Sequence, residues 1–132
     1  MMRVGKYTIW FLTISCILIF AGLIFSFFGF GFFPSSILPK KALLSWESAI
    51  YGSVLIGWGT TLFLIGRLAF RRNDIELMKI MLLGIAIWLI LEAIFSAYLG
   101  VLFNVGVDLA VLTLFGVPLI KKIRESKTKI KK

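Results

Sequence analysis

Apolar residues run along this chain in long blocks, and short polar breaks separate them. Tyr7 to Phe33 contains no charged residue. A bilayer core is roughly 30 Å thick, so a helix of about 20 mostly apolar residues crosses it. Pro34 to Lys41 then bring two prolines, two serines and two lysines, with Pro39 suited to the first turn of a new helix. A second apolar block runs from about Trp46 to Phe70 and ends at the polar turn Arg71, Arg72, Asn73 and Asp74. Asn73 followed by Glu76 has the spacing of a capping box for the next helix.

From Leu77 to Ile120 the apolar pattern is almost unbroken. As one helix that run would be roughly 65 Å long, about two bilayer cores, so it must fold back once. Gly100, near its middle, suits a helix C-terminus. A turn at Asn104 to Gly106 would leave too few residues before Lys121 to cross. The pattern therefore predicts four transmembrane helices at about 7–30, 46–70, 75–98 and 101–120, followed by a basic tail over 121–132. Pro118 falls in the last turn of the fourth and should distort it. The fold class expected is all-α, a single membrane domain forming an up-down-up-down four-helix bundle.

Composition agrees with this reading. Of the 132 residues, 60% are hydrophobic, and the mean hydropathy is +1.01. A soluble domain of this length has too little interior to hide so much apolar surface. Charge sets the orientation. Arg3, Lys6, Arg67, Arg71, Arg72, Lys79 and the seven basic residues of the tail fall on one side of a four-span topology, and only Lys40 and Lys41 on the other. Thirteen against two is a positive-inside signal that places the N-terminus and the C-terminus in the cytoplasm and the protein in the cell membrane as a multi-pass protein. Arg3 and Lys6 ahead of an apolar run resemble the start of a signal peptide, but the run is too long and no small-residue cleavage site closes it.

Several classes of chemistry are disfavoured. The chain has no histidine and one cysteine, Cys16. This removes the commonest metal ligand and neutral-pH base, together with any Cys-x-x-Cys site. No nucleophile stands beside a base, so an enzyme is not expected, nor a cofactor or metal. The tail residues Lys121, Lys122, Arg124, Lys127, Lys129, Lys131 and Lys132 suit contact with anionic inner-leaflet lipids, and Ser126 and Thr128 could tune that contact by phosphorylation. No aromatics stand among them to stack on bases, so nucleic acid is not an expected partner.

Small residues mark where helices can approach closely. Gly22 and Ser26 in the first helix, and Ser53 and Gly57 in the second, have small-xxx-small spacing, with Gly59, Thr60 and Thr61 widening the second patch. Whether these faces serve the bundle, a homo-oligomer or a larger membrane complex stays open at this level. Phe25, Phe27, Phe28, Phe30, Phe32 and Phe33, with Tyr7, Trp10, Trp46, Tyr51 and Tyr98, read as aromatic belts. Trp58 and Trp88 lie deeper and need partners for their indole N–H.

One constellation carries chemistry. Glu92 lies eight residues before Gly100 and Asp108 eight after, while Ser96 lies four before and Asn104 four after. Spacing of four keeps each pair on one helix face. A hairpin turning at Gly100 would match Glu92 with Asp108 and Ser96 with Asn104 in depth. Ionisable residues inside a membrane usually mark a functional site or a structural pairing. Two adjacent carboxylates in a low dielectric are expected to share a proton or a cation. The bland alternative is that these groups only hydrogen-bond the third and fourth helices together. The sequence thus leads to a non-enzymatic accessory, assembly or structural membrane component. The alternative is a small carrier or channel for protons, cations or amphiphiles built on Glu92 and Asp108. No motif along the chain carries a resemblance to a known family.

Overall fold

A computed structural model describes residues 5–29 and 45–130, without the side chains of 45, 46, 129 and 130. The described chain is all-α. Its helices are α1 (Lys6–Phe28), α2 (Ser45–Arg72), α3 (Ile75–Tyr98) and α4 (Leu102–Ile130). All four are long and apolar enough to cross a membrane. The expected interruption at 34–41, with Lys40 and Lys41, lies outside the described residues, as do Arg3, Phe30, Phe32, Phe33, Lys131 and Lys132.

α1 packs closely along α2, and α3 along α4; α1 also touches α4, and α2 touches α3. The core is gathered toward the end that carries the α2–α3 connection. There Phe11, Ala69, Phe70, Met78, Ile85, Phe115 and Leu119 are buried. The Phe11 ring packs against Phe70 at 5.4 Å and edge-on against Phe115 at 5.2 Å, which joins α1, α2 and α4 at one point. Outward faces are equally apolar: Ile17, Phe20, Phe27, Leu64, Ile80, Leu83 and Ile94 are all exposed. Such surfaces are stable only in an apolar surround.

The α1–α2 seam is built from glycines in a register that the four-residue spacing does not pick out. Gly52, Gly59 and Gly66 recur at seven-residue intervals along one face of α2. A Cβ on Gly52 would lie 2.5 Å from the Gly22 carbonyl oxygen, and one on Gly59 would lie 3.1 Å from the Ile19 backbone nitrogen. Gly22 and Ser26 of α1 do lie in this seam, and the Ser26 hydroxyl reaches the Ala49 carbonyl at 3.5 Å. Ser53 and Gly57 do not. Ser53 is exposed and bonds its own helix at Ile50, and a Cβ on Gly57 would meet nothing within 4 Å. The expected pair is off by one position because the i+4 partner of Gly52 is Ile56, which hides the seam from a small-xxx-small search.

Two ends also depart from the sequence reading. The cap of α3 is Asp74, whose carboxylate accepts the Leu77 N–H at 3.0 Å. Asn73 instead takes a left-handed φ of 52°, a conformation asparagine tolerates better than most residues. Glu76 pairs with Lys79 at 2.6 Å and forms no reciprocal box. In α4 the helix runs through Pro118 to Ile130 rather than stopping at Ile120. Lysine, arginine and glutamate propagate a helix well. Ile123 packs against the core and Ser126 is buried, so the extension is held on the bundle.

Candidate functional site

The α3–α4 hairpin positions the site. Gly100 has φ +77°. The Val101 N–H donates to the Ser96 carbonyl at 2.8 Å and the Gly100 N–H to the Ala97 carbonyl at 3.1 Å. This pair of bonds around a left-handed glycine is a Schellman ending. It occupies Leu99, Gly100 and Val101, so the turn stands where the symmetric spacing of polar residues about Gly100 places it. Depth matching then follows from helix geometry alone. The Asn104 side-chain amide donates to Ser96 Oγ at 2.9 Å and to Asp108 Oδ2 at 3.2 Å.

Glu92 finds its hydrogen bond elsewhere. Its Oε1 accepts the hydroxyl of Tyr51, from α2, at 2.5 Å. Among the described residues no hydrogen bond joins Glu92 to Asp108; one acid is tied to α2 and the other to its own helix. Both line a single cavity of about 550 Å³, together with Ser96, Asn104 and Tyr51. Among the described residues, the rest of its wall is apolar apart from the indole of Trp88, with Leu18, Leu55 and Phe115 among the lining side chains, and no basic residue lines it. Arg67 is exposed on α2 and does not contribute. Asp108 is 4% exposed.

The cavity lies between α1 and α4. These helices touch at Phe11 and Phe115, and the cavity runs from Phe115 to Leu99 and Val101 at the turn, with α2 and α3 completing its lining. Ile17 on α1 and Val107 and Leu114 on α4 line the cavity and are exposed, so the space is open on that side. At its back Trp88 meets Trp58 edge to face at 6.0 Å. The buried Trp58 Nε1 has no hydrogen-bond partner among the described residues.

The structure thus brings Glu92, Ser96, Asn104 and Asp108 to one wall and adds Tyr51, which the sequence reading assigns to an aromatic belt. A signal for Tyr51 exists. It lies six residues inside the start of α2 at Ser45, and Glu92 lies six before the end of α3 at Tyr98, so both sit at one depth. The basic residues stand apart from this site. Lys121, Lys122, Arg124 and Lys127 lie on the final turns of α4, and the backbone of Lys129 continues that helix. Thr128 is exposed and its hydroxyl bonds back to the Arg124 carbonyl at 3.0 Å, whereas Ser126 is buried. Among the described residues no three of His, Cys, Asp or Glu gather as a metal site would require. No known protein family, curated protein or solved structure matches the chain.

Proposed function

We propose that this chain is a small, non-enzymatic, multi-pass protein of the cell membrane that binds and passes a proton, a cation or an amphiphile at the Glu92 and Asp108 wall. Its four helices run up-down-up-down with both ends cytoplasmic. The short connections 73–74 and 99–101 support that topology, as does the bias of basic residues to one side of it. The observation that carries the function is the position of the two carboxyl groups. Among the described residues, no basic side chain lines the apolar cavity that they face, which leaves their charge to be balanced by something that enters.

The basic residues Lys121, Lys122, Arg124, Lys127, Lys129, Lys131 and Lys132 contact anionic inner-leaflet lipids, at about 1 kcal/mol each when near the surface. Reporter fusions at the C-terminus and after Lys41 are expected on opposite sides of the membrane; the same side for both would refute the topology.

The activity is tested in proteoliposomes by following proton and potassium movement at two pH values. The expected result is movement with the wild type and none with Glu92→Gln or Asp108→Asn, both still folded, since amides keep hydrogen bonds and carry no charge. The second reading is an accessory, assembly or structural component. It draws support from the Tyr51–Glu92 and Asn104–Ser96 bonds, which tie α2 to α3 and α3 to α4. An inert wild type whose amide variants behave identically would favour it.

A further inference from the structure

We infer that the slot between α1 and α4 takes a lipophilic organic monocation from the bilayer, its charge against Glu92 and Asp108 and its apolar body along Ile17, Leu18 and Trp88. The inference deepens the reading above and rests on it, since it takes the bundle to lie in a membrane and the acid wall to be a binding site.

Size argues first. A bare metal ion needs a close shell of oxygens at about 2.0–2.6 Å. The cavity measures about 550 Å³, within the roughly 300–1,000 Å³ typical of organic ligands. The lining divides in the way an amphiphile divides. Tyr51, Glu92, Ser96, Asn104 and Asp108 occupy one wall, near the 99–101 turn, and apart from the Trp88 indole the remainder is hydrocarbon and aromatic.

Sign comes next. Among the described residues, both charged side chains that line the cavity are acids. Asp108, although 4% exposed, spends only Oδ2 on Asn104, and its Oδ1 takes no hydrogen bond among the described residues. Glu92 likewise engages Tyr51 through Oε1 alone. Each acid therefore keeps a carboxylate oxygen for a cation. The half-buried Trp88 ring, which lines the cavity, adds a face on which an organic cation can rest.

Access sets the lipophilic requirement. The mouth of the slot is flanked by Ile17, Val107 and Leu114, side chains that belong to spanning segments and meet acyl chains. A species reaching the acids by this route must first partition into the bilayer, which an organic cation with spread charge does and a hydrated potassium ion does not.

The test uses the full chain in nanodiscs of zwitterionic phosphatidylcholine, so that lipid charge contributes nothing. Radiolabelled tetraphenylphosphonium is expected to bind saturably at one per chain. Tetraphenylborate, of the same shape and opposite charge, should neither bind saturably nor compete, and potassium should not displace the probe. The Glu92→Gln, Asp108→Asn double variant should weaken binding on the order of tenfold or more. Ala21→Trp, which fills the slot from α1 and leaves the acids intact, should abolish probe binding. If that variant misfolds by size exclusion, Val107→Trp fills the slot from the opposite wall. Equal saturable binding of tetraphenylborate, displacement by potassium, or undiminished affinity in the acid and slot variants would each overturn the inference. Absence of probe binding together with acid-dependent proton or potassium movement would remove the inference and leave the proposed function standing. Absence of both would remove the two together.

Discussion

Against α2, helix α1 places Gly22 where a single added carbon would strike the backbone of Gly52 and Ile56. Against α4, it closes one end with the Phe11 ring on Phe115 and leaves the other end open beside Ile17. In lipid the hydrophobic effect does not hold helices together, so van der Waals contact and hydrogen bonds decide where they stay joined. The glycine seam gives continuous backbone contact and no room. The aromatic contact fixes one point, and the cavity lies beyond it. One helix thus has a face that serves only assembly and another that leaves space lined by acids.

The sharpest way to break this contrast is Gly52→Leu. The seam cannot widen locally, because Gly59 lies close to the α1 backbone at Ile19 and Gly66 close to the Phe11 ring. The expected loss is about 3 kcal/mol, the upper end of overpacking costs, read as a lowered unfolding midpoint in detergent. A loss below 1 kcal/mol would mean that the seam is not close-packed. Phe115→Ala comes next. The unfolded chain stays in lipid, so little transfer energy is lost and the cavity term dominates, at about 2 kcal/mol for a vacated phenyl ring. It should also lengthen the open side of the slot, seen as faster labelling of a cysteine placed at Leu18 by a membrane-permeant maleimide.

Tyr51→Phe removes the bond that ties Glu92 to α2. Hydrogen bonds between spanning helices average roughly 0.6 kcal/mol in double-mutant cycles, so a loss of about that size is expected, and no coupling in a Glu92→Ala, Tyr51→Phe cycle would mean that the bond does not form. The smallest effect is expected from Gly57→Ala, where the added carbon meets open space. Stability should rise by a few tenths of a kcal/mol or stay level. A large loss there would place a partner on the outer face of α2. Cysteines at 96 and 104 should crosslink readily, since Asn104 and Ser96 are in hydrogen-bond contact.

Much of this was legible along the chain. Block lengths determine the number of helices, because the bilayer thickness converts apolar residues into spans. The α3–α4 turn is legible because a 44-residue apolar run (Leu77 to Ile120) must fold once and only glycine readily takes the left-handed φ that ends a helix there. Ser96 and Asn104 follow from that turn by counting. The glycine seam was written in the sequence too, at a spacing of seven rather than four. The α3 cap, expected at Asn73, falls one residue later at Asp74; both are good cap residues, and the left-handed φ of Asn73 moves the helix start past it.

Other features depend on how the hairpins meet. That Glu92 bonds Tyr51 rather than a group on α4, and that Tyr51 leaves the belt for the cavity, follow from the rotation of α2 against α3. The open slot is likewise tertiary, since its α1 wall of Ile14, Ile17, Leu18 and Ala21 reads as an ordinary apolar stripe in its own helix. The sequence by itself determined how many helices are long and apolar enough to cross a membrane and where α3 turns into α4, because length and left-handed glycine are local properties. Which side chains share a cavity depends on helix rotation and splay, and those are decided by close contacts between residues far apart in the chain.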